Sequence, residues 1–375
     1  MRLRWSIPKL SASPCPEPDC WPRLSVIVPA CNEADTVEPA LRTLLAQNYP
    51  DLEVIAVDDR STDATGEILE RVTRGDPRAT VVHLAHLPDG WLGKVNAMRE
   101  GLARASAGCG AGGDLVLFTD ADVHFAPDAL RKAVAYLEAH DLDHLTALPL
   151  VLPTTLVLDS VIGLTLRHVL SAVRPWSVRN AKSRAFFGVG AFNLVRRCAL
   201  DRTEGLEWFK FDAGDDAALG LLMKRSGARC AIVGATDEIR LYWHRSLADA
   251  ARGAEKGFVS VGAGSFPATV LVGLAMLAVE WAPALALVPL AFPATRPIGY
   301  AGLPILSAFL LTTVLLSQAA RWRLLPLLLT PLLAPVTVAL VWRAGYLGWR
   351  RGGAMWRGRL YRTEDLRRGA RVRLP

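Results

Sequence analysis

Along the first half of the chain, short apolar runs stop at polar clusters, and each cluster opens a segment of helical period. In "RLSVIVPACNEADTVEPALRTLLAQ" a run of apolar and β-branched residues ends at Pro29, after which Val37, Leu41, Leu44 and Leu45 recur at helical spacing. "LEVIAVDDRSTDATGEILERV" repeats the plan of strand, acidic and hydroxyl-bearing turn, and helix. "ATVVHLAHL" predicts a third strand, "GKVNAMREGLARAS" a third helix, and "GDLVLFTDADV" a fourth strand followed by a helix from about Pro127 to His140. The strands are apolar at successive rather than alternate positions, so both of their faces are covered. Strands of that kind alternating with helices predict an α/β fold with a mostly parallel sheet.

Beyond this the pattern changes. Residues 154–178 are apolar with Arg167, His168 and Arg174 between, and predict a helix that either lies on a membrane or packs on the core. "FFGVGAFNLVRRCAL" reads as a glycine-punctuated strand or turn, "DDAALGLLMKRSG" as a helix stopped by Gly227, and "ARCAIVGA" as a further strand. Apolar runs at about 268–292, 298–317 and 324–342 each approach the roughly 20 residues that span a bilayer. The expected organisation is an extended lead-in (1–22), an α/β catalytic domain (23–260), two to four transmembrane helices (267–343) and a basic C-terminal tail (344–375).

Charge sharpens this division. Residues 267–375 hold thirteen arginines, no lysine and three acids, a net +10, so the rest of the chain carries −3 of the overall +7. A basic flank beside apolar spans fits a membrane surface, and the stripe of basic residues expected of a nucleic-acid binder is missing. With the α/β domain in the cytoplasm, an odd number of spans would put the arginine-rich end outside, against the positive-inside tendency; an even number is expected. The N-terminal segment has no apolar stretch of signal-peptide length. Six cysteines without ligand spacing suggest reduced thiols.

Ligands of open α/β sheets bind outside the carboxyl ends of the strands. Four successive strand ends are polar here: Asn32-Glu33, Asp58-Asp59, Trp91 to Lys94, and Asp120-Ala121-Asp122. Each residue has an ordinary alternative, as a helix cap or a solvated charge. Their succession at one edge points to a shared site. No G-x-G-x-x-G follows the first strand, which excludes a dinucleotide-binding oxidoreductase.

The ordered set "VIVPACNEADTV", "VIAVDDRSTDAT", "GWLGKVNAM", "FTDADV", "GVGAFNLVRR" and "DDAALG" resembles the family-2 inverting glycosyltransferases, whose domain has the GT-A nucleotide-sugar-binding fold. The resemblance covers residues 24–260. It implies that Pro29, Ala30, Asn32 and Glu33 line the nucleotide pocket and that Asp58 or its neighbour Asp59 accepts a hydrogen bond from the base. It places Lys94 beside the ribose or diphosphate of a UDP- or GDP-sugar. Asp120 and Asp122 would reach the ribose and a divalent cation, Mg²⁺ or Mn²⁺, for which oxygen ligands suffice. The family's base is the second acid of a downstream "ED" pair; "GDDAALG" makes Asp216 the candidate, with Asp215 in the glutamate's place. Capping of the following helix is compatible with that role.

Gly188 and Gly190 would allow close backbone approach on the acceptor side. Arg240, Tyr242 and Lys256 resemble the R-x-Y…G-x-x-K stretch of members that glycosylate carotenoids, hopanoids, ceramide or related lipids, and would bind phosphates or lipid headgroups, or form a solvated face. The Q/R-x-x-R-W motif of processive synthases is absent, which favours a single transfer. "WRGRLYR" near the C-terminus fits an interfacial segment touching anionic lipid. The expectation is thus a multi-pass cell-membrane glycosyltransferase with a cytoplasmic catalytic domain and a membrane-lipid acceptor. A polyprenyl-phosphate sugar synthase, or a membrane transport or scaffold protein that senses nucleotides, are its alternatives.

Overall fold

The computed structural model describes residues 7–106 and 114–372. The chain first builds β1 (Leu24–Ala30), α1 (Val37–Leu45), β2 (Leu52–Asp59), α2 (Thr65–Thr73), β3 (Ala79–Leu84), α3 (Gly93–Arg104) and β4 (Leu115–Phe118). β1 lies between β2 and β4 and runs parallel to both, with Ala30 beside Asp58 and Ile27 beside Phe118. The chain therefore moves outward through β2 and β3 and then returns to the other side of β1. That reversal opens a crevice between the carboxyl ends of β1 and β4.

Next come β5 (His124–Phe125), α4 (Ala129–Ala139), β6 (His144–Val151), α5 (Leu156–Val173), β7 (Asn193–Arg196), α6 (Arg197–Asp201), α7 (Asp215–Arg225) and β8 (Cys230–Leu241). The completed sheet has the order β3-β2-β1-β4-β7-β6-β8-β5. It is mostly parallel as expected, except that β7 is antiparallel to β4 and β6, and β5 to β8. Adjacent residues of one strand serve opposite cores. Val26 and Val28 pack with Leu41, Leu44, Leu69 and Leu117, while Ile27 packs with Ile55, Val57, Val95, Met98 and Leu219. This is why the runs are apolar without alternation.

After the charged helix α8 (Leu247–Lys256), the apolar region consists of α9 (Phe258–Gly262), α10 (Phe266–Leu285), α11 (Arg296–Tyr300), α12 (Gly302–Ala320), α13 (Leu324–Leu328) and α14 (Thr330–Arg351). Among the described residues four helical segments, Leu156–Ser177, Phe266–Ala291, Gly302–Ala320 and Thr330–Arg351, are long and apolar enough to cross a membrane. α10 and α14 run antiparallel: Gly273 meets Val338 and Trp342, and Trp281 Nε1 donates to the Pro331 carbonyl at 2.8 Å. Leu271, Leu311 and Leu332 face outward, the last 74% exposed. α5 turns Gly163 toward Leu327 and Trp322, while Val169, Leu170 and Val173 reach the core shared with α7. Several acids and arginines of this region are paired with each other or with the α/β domain. Arg167 and Thr330 converge on the buried Glu280, Arg323 pairs with Asp159 at 3.0 Å, and Arg321 pairs with Asp237.

The C-terminal stretch is not a free basic tail. α14 continues to Arg351, and β9 (Gly353–Trp356), β10 (Arg359–Arg362) and α15 (Thr363–Gly369) fold back onto the α/β domain. Arg371 and Val372 N–H groups both donate to Asp212, and Tyr361 packs edge-on to Phe211. Cys15, Cys20, Cys31 and Cys230 are free thiols. Cys198 departs from the reduced-thiol expectation in being disulfide-bonded. Cys109 lies outside the described residues.

Candidate active site

The polar strand ends do converge. The first two turns interlock: the Glu33 N–H donates to Thr65 Oγ1 at 2.8 Å, and Asn32, at φ 54°, accepts from the Thr62 N–H at 2.8 Å. Neighbouring aspartates then part company. Asp58 is turned aside, taking the Ser61 N–H on Oδ1 and facing His83 Nδ1 at 3.0 Å with Oδ2. Asp59 faces the crevice, its carboxylate gripped by the Arg60 guanidinium at 2.8 and 3.0 Å. After β4, the Asp120 N–H donates to the Gly190 carbonyl at 3.0 Å, so Asp120 and Asp122 are presented by a pinned turn. Neither caps α4, which starts at Ala129 behind Asp128.

At the centre stands Lys94, on the first turn of α3. Its Nζ lies 2.7 Å from Asp120 and 2.8 Å from Asp215. Lys256 Nζ holds the other Asp215 oxygen at 2.9 Å. Burial disfavours an Asp215 anion, but Lys256 and Lys94 outweigh it and hold its pKa well below the ordinary carboxylate range. Burial likewise opposes the Lys94 cation, and Asp120, Asp215 and Asp216 overcome it, raising its pKa well above the usual lysine value.

Asp216 behaves in the opposite way to its neighbour. One oxygen accepts the Gly190 N–H at 2.9 Å; burial first, then the Asp215 charge, raise its pKa against the pull of Lys94 and Lys256. Two adjacent acids thus have different environments: Asp215 is a neutralised strut, and Asp216 faces the cavity with a raised proton affinity.

That cavity has a volume of about 600 Å³. Its polar end is walled by Pro29, Ala30, Glu33, Asp59, Lys94, Asp120, Asp122 and Asp216. It continues past Trp243, His244 and Lys256 into an arm lined by Val161, Ile162 and Thr165 of α5 and by Leu340, Val341 and Ala344 of α14.

Residues 25–150, which hold all but the first residue of β1, the strands β2 to β4 and all four strand-end turns, match the glycosyl transferase family 2 domain. The chain carries a family 2 glycosyltransferase domain. Over 118 residues it is 34% identical to a beta-monoglucosyldiacylglycerol synthase of Synechocystis sp., covering 31% of this chain and 23% of that protein. Over 109 residues it is 33% identical to a GalNAc(5)-diNAcBac-PP-undecaprenol beta-1,3-glucosyltransferase of Campylobacter jejuni, covering 29% and 32%. Matches to such relatives span between 16% and 42% of the relatives' own lengths. A mannosyltransferase from Pyrobaculum calidifontis, solved with GDP-Man and Mn²⁺, matches 90% of this chain and 91% of its own. Its TM-score of 0.50 at 22% identity makes this a likeness of fold.

Within the family 2 domain the carboxylates suit a hard cation. Burial pushes Asp122 up to about 7, and the Asp120 and Glu33 charges add to the rise, as crowded carboxylates do before a cation joins them. Among the described residues no group of three or more His, Cys, Asp or Glu side chains forms a complete cage. A cation there would fill its shell with phosphate oxygens and water, the usual habit of Mg²⁺.

Several expected residues lie elsewhere. Asn32 and Asp58 brace the turns without lining the cavity, and Arg240 and Tyr242 are exposed at the end of β8 while the next residues, Trp243 and His244, enter the lining. Residues not singled out for this site are Arg60 and the α5 and α14 positions of the arm. Trp356, Arg357 and Tyr361 also line the cavity, although "WRGRLYR" reads as a lipid-touching segment. Gly358, in the middle of that motif, was the available signal for a tight turn.

Gly188 and Gly190 make the close approach possible. A Cβ on Gly188 would sit 1.8 Å from the Asp216 carbonyl oxygen, and one on Gly190 would sit 2.4 Å from Asp120 Oδ2. The first clash is with backbone and cannot be relieved by a rotamer. Gly188→Ala is expected to push the start of α7 away and cut the transfer activity proposed below at least about tenfold, since roughly 1 Å of misplacement is enough for a loss of that order. Steady-state transfer with a thermal melt as control checks this; unchanged kcat would show that Asp216 need not stay where it is.

Proposed function

We propose that this protein transfers one sugar from a UDP- or GDP-sugar to a hydroxyl group of a membrane lipid, with inversion at the anomeric carbon. The observation that carries the reading is the continuity of the cavity. One end is a nucleotide-sugar-type crevice, and the other is an apolar arm between helices fit to meet lipid. The relatives add support, one being named for diacylglycerol and another for an undecaprenol-linked substrate.

In this reading Pro29, Ala30 and Asp59 receive the nucleotide, and Lys94 is the fixed positive charge beside the diphosphate. Asp120 and Asp122 would hold Mg²⁺ or Mn²⁺, which neutralises the departing nucleoside diphosphate. The fold neighbour bound to Mn²⁺ and GDP-Man supports that assignment. Asp216 takes the proton of the acceptor hydroxyl as its oxygen bonds to the anomeric carbon. The bond from that carbon to the diphosphate breaks on the opposite face, and the leaving group keeps the electron pair. Asp215, neutralised by two lysines, anchors the start of α7 and shapes the field at Asp216. A phosphate acceptor is already an anion and needs no base, so a cavity-facing Asp216 favours a hydroxyl acceptor over a polyprenyl-phosphate one. A purely sensing domain would have no use for that acid.

The hairpin β9–β10 lies at the donor end, so the C-terminal stretch and the catalytic domain share one side of the membrane. That requires an even number of crossings between Gly262 and Gly353, so only two of the three membrane-length helices there, α10, α12 and α14, would cross fully, in keeping with a cytoplasmic catalytic domain and the positive-inside tendency.

The test is full-length protein in lipid vesicles with a panel of labelled UDP- and GDP-sugars, read by mass spectrometry of extracted lipid. One added sugar per lipid is expected, lost in EDTA and restored by Mn²⁺ or Mg²⁺. A soluble or polymeric product would overturn the lipid acceptor, and full activity in chelator would remove the metal. Leu340→Trp, which narrows the apolar arm, is expected to raise KM for the lipid several-fold and leave KM for the donor alone.

A further inference from the structure

β9 and β10 are joined by a two-residue turn, with Trp356 paired to Arg359. Both turn residues have positive φ, 47° at Arg357 and 76° at Gly358. Hairpin turns of this kind take Asn-Gly, Asp-Gly or Gly-Gly, because a residue with a long side chain is sterically disfavoured at positive φ. The turn therefore explains Gly358 and not Arg357. Something other than local backbone geometry calls for an arginine at the tip.

The side chain enters the donor end of the cavity, whose lining also includes Lys94, Asp120 and Asp122. The guanidinium pairs with the Glu33 carboxylate and reaches the Asn32 carbonyl at 3.4 Å. Among the described residues four lysine or arginine side chains line this cavity, and the other three are held by buried or half-buried aspartates. Arg60 is forked onto the buried Asp59, Lys94 is shared between Asp120 and Asp215, and Lys256 is fixed to Asp215. Their side chains are 28–31% exposed, against 39% for Arg357. The foot of the hairpin is fixed, with Ala354 and Tyr361 buried, whereas Arg357 and Gly358 at its tip are exposed at the cavity mouth.

Resting on the glycosyltransferase reading, we propose that Arg357 is a binding residue for the diphosphate of the nucleotide donor, and that Glu33 holds it in the free protein. The pair is partly exposed, with the Arg357 side chain 39% and the Glu33 side chain 23% open to solvent, so it contributes modest net stability, and exchanging Glu33 for a more highly charged diphosphate is favoured by the greater charge. A guanidinium offers paired N–H donors matched to phosphate oxygens, a fit that the point charge of Lys94 does not supply. The C-terminal hairpin then belongs to the donor site, although it follows the last apolar helix.

The experiment uses full-length protein in detergent with Mn²⁺ throughout, titrated with UDP and GDP and, in parallel, UMP and GMP. Arg357→Ala is expected to weaken binding of the preferred diphosphate about tenfold or more, the scale of one charge-assisted fork, with a much smaller change for its monophosphate. Arg357→Lys should recover part of the loss. Arg357→Asn separates binding from folding, because asparagine suits the turn better. Its melting temperature should equal or exceed that of the unaltered protein, and its diphosphate affinity should fall as in the alanine variant. Equal losses for diphosphate and monophosphate, no loss at all, or a lowered melting temperature in Arg357→Asn would each overturn the proposal alone. Failure of the unaltered protein to bind either diphosphate would overturn the donor reading and this proposal with it.

Discussion

Asp216→Asn is expected to lower sugar transfer by about 10²–10⁴-fold, the usual contribution of a positioned general base, with donor affinity nearly unchanged. The asparagine keeps the shape and can still accept the Gly190 N–H, but it cannot take a proton. Binding should survive because Lys94, Asp120 and Asp122 are untouched. The pH profile gives a second readout. Burial, then the Asp215 charge, raise the Asp216 pKa above its ordinary value of 3.8. Since the base works only when ionised, activity should rise with pH along a limb displaced above the ordinary carboxylate range. Stability should move the other way. With a folded-state pKa raised above the ordinary one, stability is lost as the pH rises from the ordinary carboxylate value through the raised one, so the neutral asparagine should melt no lower, and at neutral pH somewhat higher. Transfer that survives in Asp216→Asn, or donor binding lost with it, would remove this acid from the base role.

The sequence showed the α/β plan because each buried strand announces itself twice, by an unbroken apolar run and by the polar turn that stops it. β1, β2 and β4 with Glu33, Asp59 and Asp120 are of this kind, and their convergence follows from parallel strands sharing one carboxyl edge. What could not be read was side-chain direction where two acids adjoin. Asp58 and Asp59 are chemically alike, yet Ser61 and His83 claim one and Arg60 claims the other. Asp215 and Asp216 separate only because Lys94 and Lys256, over 100 residues apart in the chain, meet on the first of them. That Trp356 and Arg357 would stand at the cavity was hidden for the same reason. The placement of their hairpin depends on α14 returning beside α10, a tertiary fact with no local signature. Apolar composition also misplaced helix ends: the run at 324–342 contains the break between α13 and α14, and the helix continues to Arg351 through residues too polar to be counted.

Lys94→Met should have the largest effect on folding, with loss of donor binding beside it. The methionine fills similar space but leaves Asp120 without a partner and Asp215 with Lys256 alone. The Asp215 side chain is only 3% exposed, so the charge cannot be repaired by water. Breaking such a buried pair costs about 3 kcal/mol, less whatever the cavity opening at Lys94 admits. The pH dependence identifies the cause. Against burial, Lys256 and Lys94 depress the folded-state pKa of Asp215, so its contribution is present above the ordinary carboxylate value and is lost only as the pH falls through the depressed one. Removing Lys94 raises that pKa. The deficit relative to the unaltered protein is therefore full near pH 7 and shrinks as the pH falls through the carboxylate range, where Asp215 of the variant takes up a proton. Melting temperatures of both proteins at pH 7.5 and pH 4.5 measure this directly. A deficit of equal size at both values would mean that Lys94 stabilises the site by packing, and that Asp215 does not depend on its charge.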